Sequence, residues 1–291
     1  MKWLLAVAMA VAITLSVLGC IEQEGTGENT TAVSVIVSIY PIGDMVKQVG
    51  GERVDVVVLL PPGADPHTWE PTPQQIKVFE RADLFVETGT GLEFWADDFV
   101  KETGVRVLTF TKDYQPGRNP HVWLDPVFAE DFVVRLKDTL SDIDPEGKGY
   151  YEKRTQDYLL QLQQLDMEYR ETLENVSNRV FVSTHPTWEY ICMRYNLTEI
   201  PIEETPEKEI TPARLREVIE MARRLDARVV FVEPQQNPQL AQAVANELGV
   251  EVLTLDPLGD PKDPQRDTYI KLMEYNLAQL KKGLGGKYED H

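Results

Sequence analysis

The chain has 291 residues, of which 42% are hydrophobic, so it can bury a substantial core and has room for two lobes. Its 48 acidic residues outnumber the 29 basic ones and give a formal net charge of −19. Because phosphate binding relies on Lys and Arg, this charge argues against nucleic acid as a partner.

The first 31 residues have the pattern of an export signal followed by a polar tether. Lys2 precedes an apolar run, Trp3 to Leu18, that is short for a membrane-spanning helix and ends in small residues. Val17-Leu18-Gly19-Cys20 resembles a lipobox. We therefore predict a signal peptide at 1–19 and a lipidated tether at 20–31, beginning with Cys20. Removal of the signal changes the net charge to −20. An uncleaved N-terminal anchor is the alternative.

The body from residue 32 onward alternates apolar runs of strand length with helical patterns. This alternation predicts an α/β fold of two doubly wound lobes with mainly parallel sheets. We place the N-terminal lobe at 32–144. Its expected strands are Val33 to Ser38, Val54 to Leu60, Leu84 to Thr88 and Val105 to Phe110. Its expected helices lie around 42–49, 73–81 and 93–101.

One long linking helix is predicted next, over residues 145–178. Apolar or aromatic residues recur there, largely in steps of three, four or seven, so one face should be helical and buried. These residues are Tyr151, Tyr158, Leu162, Leu165, Tyr169, Leu173 and Val176. At about 1.5 Å per residue the helix would run roughly 45 to 50 Å, which suits a rigid connection between lobes. Two shorter helices broken near Gly149 are the alternative.

The C-terminal lobe is predicted at 179–291 and continues the alternation. Its expected strands are Val180 to Ser183, Val229 to Val232 and Glu251 to Thr254, and its expected helices are Pro212 to Leu225 and Gln239 to Leu248. Cys192 is the lone cysteine of the mature body, so no intramolecular disulfide can form there. We expect it to be a small buried hydrophobe.

Three of the four histidines lie beside a proline just after a predicted strand. The segments are Asp65-Pro66-His67, Asn119-Pro120-His121 and Thr184-His185-Pro186, whereas His291 ends the chain. Proline stiffens a loop, ligand sites gather at strand ends, and neutral imidazole is the commonest metal ligand. The pattern predicts a divalent metal site in the cleft between the lobes. Taken alone, the loop of His67 fits a histidine that is hydrogen-bonded within a turn equally well.

A zinc-like site needs about four donors, so the second lobe should supply one more. Asp256 is our choice because it ends a strand and precedes a proline, although an aspartate in such a turn is often structural. Glu233 could instead orient an imidazole from behind it, and Glu70 and Asp125 are weaker candidates. Three tryptophans closely follow the histidines and could exclude water from the site or simply pack in the core: Trp69, Trp123 and Trp188.

Motifs of the common enzyme classes are absent from the sequence. It contains no HExxH, no GxSxG, no P-loop and no dinucleotide fingerprint. We therefore expect a protein that is not an enzyme. An exported zinc-dependent hydrolase, with three histidines, a water and Glu233 or Asp256 as general base, is the alternative from another class.

Several loops together resemble one known family. They are PHTWEPTP (66–73), NPHVWLDP (119–126), STHPTWEY (183–190), FVEPQ (231–235) and TLDPLG (254–259). They are similar to those of the zinc/manganese-type substrate-binding lipoproteins of ABC importers, cluster A-I, and the resemblance extends from about Val33 to Leu284. The resemblance implies two α/β lobes that flank a metal, a single long helix between them, and delivery of the metal to a membrane permease.

Carried over residue by residue, the family's metal ligands fall on His67, His121, His185 and Asp256. Manganese-preferring relatives usually have a glutamate at the third of these positions. Because a nitrogen-rich set favours zinc, we expect Zn²⁺, with Mn²⁺ as the alternative. The resemblance further implies a cell-membrane lipoprotein, held outside the cytoplasm by the lipid on Cys20, and we expect a monomer. A surface adhesin that keeps the fold is a third class with little sequence support.

Overall fold

The first lobe is built on a four-stranded parallel sheet. The computed structural model describes residues 32–112, 115, 118–203 and 210–285, so the predicted signal and tether lie outside the described residues. The strands are β1 (Val33–Val37), β2 (Val54–Val58), β3 (Leu84–Glu87) and β4 (Arg106–Thr109). Their order is β2-β1-β3-β4, so the winding changes direction between β1 and β3. Ligand sites favour the carboxyl ends of strands at such a point.

Helices cover both faces of this sheet, as a doubly wound fold requires. On one face lies α1 (Tyr40–Gly50), whose apolar side packs in the same core as the odd-numbered residues of β1. On the other face lie α2 (Pro73–Ile76), a 3₁₀ turn (Lys77–Arg81) and α3 (Asp97–Thr103). Phe79 of this turn contacts Phe85 of β3, with ring centroids 5.0 Å apart. The alternation of side chains along each strand therefore feeds two separate apolar layers.

Two long helices lead out of the first lobe. The first, α4 (Pro126–Ile143), begins with a proline at its first turn, and the Asp125 carboxylate accepts the backbone N–H of Val127 as an N-cap. A 3₁₀ turn (Pro145–Gly147) then leads into α5 (Lys148–Glu174). The predicted linking helix at 145–178 therefore begins with a separate 3₁₀ turn close to Gly149, and α5 is unbroken from Lys148 to Glu174. The helix has 27 residues and is roughly 40 Å long.

The buried face of α5 is the one that the periodicity predicts. The six predicted apolar residues from Tyr151 to Leu173 are buried on α5, and the seventh, Val176, is buried just beyond its end. They join a single apolar core that includes residues of both lobes. The helix packs against α4 and α1 on the first-lobe side and against helices of the second lobe further along. It therefore stabilises both lobes through one continuous surface rather than acting as a solvated connector.

The second lobe repeats the plan of the first. Its elements in chain order are β5 (Val180–Ser183), α6 (Glu189–Tyr195), β6 (Thr198–Pro201), α7 (Pro212–Arg224), β7 (Val229–Val232), α8 (Pro238–Leu248), β8 (Glu251–Thr254) and α9 (Tyr269–Gly283). The parallel strands have the order β6-β5-β7-β8. Alternate residues of β7 fall in two cores, with Val229 and Phe231 facing α5 and α9, and Val230 and Val232 facing α7 and α8.

Several elements differ from the sequence prediction. The helices α4, α6 and α9 and the strand β6 were not predicted, and the helix expected at 93–101 lies at 97–103. Most of the helix expected at 73–81 is a 3₁₀ turn. The β6 strand is four residues long, ends in Pro201 and lies at the sheet edge, where proline is tolerated. The lobe boundaries at 32–144 and 179–291 stay predictions.

Two further features bear on the environment of the chain. In the described part, no helix combines the length and apolarity that crossing a membrane needs. Cys192 is free and buried on α6, as predicted for a small core hydrophobe.

Candidate metal centre

The three predicted histidines follow the carboxyl ends of strands in both lobes. His67 lies in the proline-rich loop after β2, His121 lies in the loop between β4 and α4, and His185 follows β5 directly. Because parallel strands end at the same edge of a sheet, the two lobes present these loops to a common space.

The structure brings the three imidazoles together. One possible ligand atom from each of His67, His121 and His185 lies within 4.8 Å of the other two. The ring centroids form a nearly equilateral triangle with sides of 4.9, 5.0 and 5.1 Å. They line a cavity of about 10 Å³, which is room for roughly one water-sized particle. We call this the histidine cavity. Its size suits a single ion.

The His121 ring is oriented by the residue two positions before it. The Asn119 carbonyl oxygen Oδ1 accepts the backbone N–H of His121 at 3.0 Å and faces its ring nitrogen Nδ1 at 2.7 Å. Since Oδ1 can only accept, Nδ1 carries the proton and Nε2 is left with a lone pair. Nε2 lies 3.2 Å from Nε2 of His67, on the side of the cavity.

Asn119 also joins the two lobes. Its side-chain amide donates to the carbonyl of Pro186, and its own backbone carbonyl accepts the hydroxyl of Tyr190 at 2.9 Å. The loop that carries His121 is thereby fixed against the loop that carries His185. The spacing of two of the three imidazoles therefore depends on this contact.

The His185 ring is oriented by a hydroxyl and a carboxylate behind it. Nδ1 of His185 lies 2.6 Å from the hydroxyl of Thr187, and that hydroxyl donates to Glu233. The Glu233 carboxylate is itself 3.4 Å from Nδ1. Nδ1 is thus the donor, so Nε2 remains available to a metal. This series of hydrogen bonds is typical of the contacts that support metal-binding histidines. It places Glu233 in the orienting role that the sequence offered as an alternative.

A second carboxylate holds the backbone of the same loop. Glu199 on β6 accepts the Ser183 hydroxyl at 2.7 Å, the N–H of Thr187 at 3.2 Å and the N–H of Trp188 at 3.1 Å. Desolvation outweighs these hydrogen bonds and raises the pKa of Glu199 to about 7. The strand β6, which was not predicted from the sequence, therefore carries a residue that supports the metal centre.

The environment keeps two of the three imidazoles neutral. Desolvation, together with the neighbouring His185, lowers the pKa of His67 to about 4. Desolvation and the two other histidines lower the pKa of His121 well below its ordinary value. Burial also acts to lower the pKa of His185, but the hydrogen bond and charge of Glu233 outweigh it and leave that pKa raised. Because a metal binds the neutral imidazole, His67 and His121 are ready for one near pH 7, and metal binding would release any proton that His185 carries.

The structure does not bring Asp256 into the same cluster. Its carboxylate is buried but bonded elsewhere, with Oδ2 accepting from Arg266 at 2.7 Å and Oδ1 accepting the N–H groups of Leu258 at 2.9 Å and Gly259 at 3.1 Å. Among the described residues, the three histidines are the only group of three or more His, Cys, Asp or Glu side chains whose ligand atoms all lie within 4.8 Å of one another. Coordination by Asp256 stays a prediction, and it would require the carboxylate to leave these partners.

The remaining candidates have other roles. Glu70 is exposed, and Asp125 caps α4 while pairing with Arg194 at 2.6 Å. Trp123 is buried and lines the histidine cavity, as expected of a residue that excludes water. Trp69 instead stacks edge-on against Trp95, so it belongs to the packing of the first lobe.

Sequence reasoning missed the residues that position the ligands. Asn119, Thr187 and Glu199 do so through the contacts above, and Gln235 lines the histidine cavity. Two of them follow a simple signal, because Asn119 and Thr187 each lie two residues from the histidine that they orient. Glu199 reaches the loop only through strand pairing, so no local pattern would have shown it.

The fold has two parallel-sheet lobes and a long helix joining them, and three imidazoles from both lobes converge on one cavity. These features define a metal-binding protein of the two-lobed substrate-binding class. The model of the family "Zinc-uptake complex component A periplasmic", ZnuA, matches residues 35–283. The chain belongs to this family. The family is one of importer components rather than enzymes.

Individual relatives agree with this assignment. The chain is 28% identical to the high-affinity zinc uptake system protein ZnuA of Bacillus subtilis, over 97% of this chain and 98% of that protein. It is 29% identical to the manganese-binding lipoprotein MntA of Halalkalibacterium halodurans, over 94% and 96% of the two chains. A solved structure of the laminin-binding protein Lmb of Streptococcus agalactiae, described as having adhesin and metal transporting activity, has a TM-score of 0.80. It is 31% identical and covers 87% of this chain and all of that one.

Proposed function

We propose that this protein binds a single Zn²⁺ ion outside the cytoplasm and delivers it to the permease of an ABC importer. The observation that carries the proposal is the triangle of His67, His121 and His185 around a cavity of ion size. The names of the relatives support importer function, since they include a zinc uptake protein and a manganese-binding lipoprotein.

The donor set favours zinc over manganese. Three imidazole nitrogens are intermediate ligands that suit Zn²⁺, whereas Mn²⁺ prefers sites richer in oxygen. The carboxylates near the cavity support this preference in one respect. The Glu233 carboxylate accepts the hydroxyl of Thr187 and lies against His185, and the Asp256 carboxylate pairs with Arg266. Both carboxylates therefore already have protein partners. Manganese remains the alternative cargo within the same function.

Export and anchoring complete the proposal. The signal at 1–19 and the lipid on Cys20 would hold the body at the outer face of the cytoplasmic membrane, where the ion is collected. We further propose that the protein acts as a monomer. The polar tether at 20–31 would allow the body to reach its permease without leaving the membrane surface.

A hydrolase needs an open coordination position and space for a substrate next to the metal. The histidine cavity has room for roughly one water-sized particle, and Glu233 is bonded to the group that orients His185. Both observations favour holding an ion over catalysis at this centre.

The experiment that tests the function is a thermal unfolding series on the full chain with Zn²⁺, with Mn²⁺ and after chelation. We expect Zn²⁺ to raise the midpoint more than Mn²⁺, because a ligand at a thousand times its Kd adds about 4 kcal/mol to stability. His185→Ala should abolish the rise, and His291→Ala, at the chain end, is the matched control that should keep it. A wild-type midpoint that no divalent metal moves would end the proposal.

A second measurement addresses delivery. Cells limited for zinc that carry this protein with its permease should accumulate ⁶⁵Zn, and cells carrying His67→Ala in place of the wild type should not. Equal accumulation in both would show that the histidine cavity is not the transport site.

A further inference from the structure

The carboxylate predicted to be the fourth metal ligand lies next to the wall of the histidine cavity. Its chain neighbours Pro257 and Leu258 line the cavity, and Gln235, which also lines it, faces Oδ1 of Asp256 at 3.5 Å. Asp256 itself is only 1% exposed. A buried carboxylate is costly unless it is paired, so the protein groups that Asp256 binds affect how strongly it can bind an ion.

The backbone and one oxygen of Asp256 are held by neutral groups. The side-chain amide of Asn276 on α9 accepts the Asp256 N–H at 2.8 Å and donates to its backbone carbonyl at 2.7 Å. Oδ1 accepts the N–H groups of Leu258 at 2.9 Å and Gly259 at 3.1 Å. The position of the carboxylate therefore does not depend on the partner of its other oxygen, Oδ2.

That partner is a guanidinium with a second anion within reach. Nη1 of Arg266 donates to Oδ2 of Asp256 at 2.7 Å. Nε and Nη2 of the same group donate to Asp263 at 2.9 and 2.6 Å, and its carbon lies 5.2 Å from the ring centroid of Tyr275. Arg266 can thus release Asp256 and still keep an anionic partner and an aromatic face.

We propose that Arg266 competes with the metal for Oδ2 of Asp256 and thereby lowers the affinity of the site, so that the ion can be released to the permease. The inference rests on the proposed function and on Asp256 as the fourth ligand. When zinc binds, Oδ2 turns from the guanidinium to the ion, and Arg266 stays with Asp263. When zinc leaves, Arg266 pairs with the buried carboxylate again. Two cations that share one oxygen repel each other, so each lowers the affinity of the other.

Arg266→Met tests this competition, with the zinc affinity of the full chain measured against a chromophoric chelator. We expect the affinity to rise about tenfold or more, because the ion then compensates a carboxylate that is otherwise buried and unpaired. Arg228→Met is the matched control. It removes the same charge from an exposed pair with Asp226, before β7 and therefore at the opposite end of the sheet, and should leave the affinity unchanged. A fall or no change in Arg266→Met would overturn the inference.

A crystal structure of the wild-type chain loaded with Zn²⁺ gives an answer that does not depend on a variant. We expect Oδ2 of Asp256 at about 2.0 to 2.2 Å from the ion, and Arg266 beyond hydrogen-bond distance of Oδ2 but still paired with Asp263. An ion without Asp256 among its ligands, or an Arg266–Asp256 pair intact beside the ion, overturns the inference and leaves the proposed function in place. A chain that binds no zinc fails the proposed function instead.

Discussion

The hydroxyl of Thr187 is a small group with a large part in the metal centre. It is fully buried and lies between Nδ1 of His185 and the carboxylate of Glu233. Without it, His185 would lose the partner that fixes its tautomer, and Glu233 would lose a hydrogen bond that it receives. Supporting contacts of this kind typically contribute a factor of about 10 to 100 in metal affinity.

We therefore predict that Thr187→Val, which replaces the hydroxyl with a methyl of similar size, weakens Zn²⁺ binding by about 10- to 100-fold. Chelator competition on the purified full chain measures the change. Thr198→Val makes the same replacement at an exposed position of β6 and should leave the affinity unaltered. An unchanged affinity in Thr187→Val would mean that Glu233 orients the imidazole directly.

At the scale of elements, the junction between α4 and α5 depends on one carboxylate. Asp144 accepts two hydrogen bonds from Arg53, at 2.7 and 2.8 Å, one from the hydroxyl of Tyr151 at 2.7 Å and one from the N–H of Gly147. It thus ties the 3₁₀ turn, the start of α5 and the segment before β2 to one point. The start of the linking helix is fixed there.

Asp144→Ala should lower the free energy of unfolding by about 2 kcal/mol, because hydrogen bonds to a charged group are among the stronger ones. Urea denaturation of the chelated protein measures it. Asp142→Ala is the control, since Asp142 pairs with Arg106 but its side chain is 67% exposed, and its loss should cost under about 1 kcal/mol. Equal effects would show that the junction does not depend on Asp144.

The same contact predicts a pH dependence. The hydrogen bonds from Arg53 lower the pKa of Asp144 to about 2. A lowered pKa in the folded state means that the contact stabilises the protein above the ordinary pKa of about 4 and that this stability is lost as the pH falls toward 2. The difference in unfolding midpoint between wild type and Asp144→Ala should therefore be full at about pH 6 and shrink at about pH 2.5. A constant difference would contradict the ionic origin.

On the scale of the whole molecule, the two lobes are held by buried polar contacts as well as by α5. Arg194 of α6 forms a two-pronged pair with Asp125, the N-cap of α4. Burial raises the pKa of Asp125 despite the opposing effect of Arg194, which shows how much desolvation this carboxylate bears. Trp123 adds a second link by donating to the carbonyl of Pro257 at 2.8 Å.

Removal of one partner of this buried pair should be costly. We expect Arg194→Met to destabilise the protein by about 3 kcal/mol, because Asp125 would remain buried with its charge unpaired. Adding Asp125→Asn, which keeps an N-cap, should restore much of the loss. Denaturant unfolding of the two single variants and the double variant gives the coupling energy. If the double variant is no more stable than Arg194→Met alone, the pair is not the cause.

Local patterns were enough to predict most of the strands, the linking helix and the convergence of the three histidines. Strands such as β7 are continuous apolar runs, and the buried residues of α5 repeat with the period of a helix. Signals for α4 and α9 were also present, since Asp125 and Thr268 are N-cap residues before apolar periodic segments. By contrast, β6 has the sequence TEIP, in which isoleucine stands between a glutamate and a proline, so it cannot be distinguished from a loop without its partner β5.

The sequence by itself determined the period of each element and the loops on which imidazoles would lie, because these depend on neighbours within a few positions along the chain. Tertiary structure alone decided what surrounds those imidazoles. Glu199 reaches the loop of His185 through strand pairing, Asn119 binds across to Pro186, and Arg266 takes the carboxylate of Asp256. The first and last of these contacts depend on strand pairing and loop packing within the second lobe, and the second depends on how the two lobes meet. Packing brings together residues that no local pattern connects.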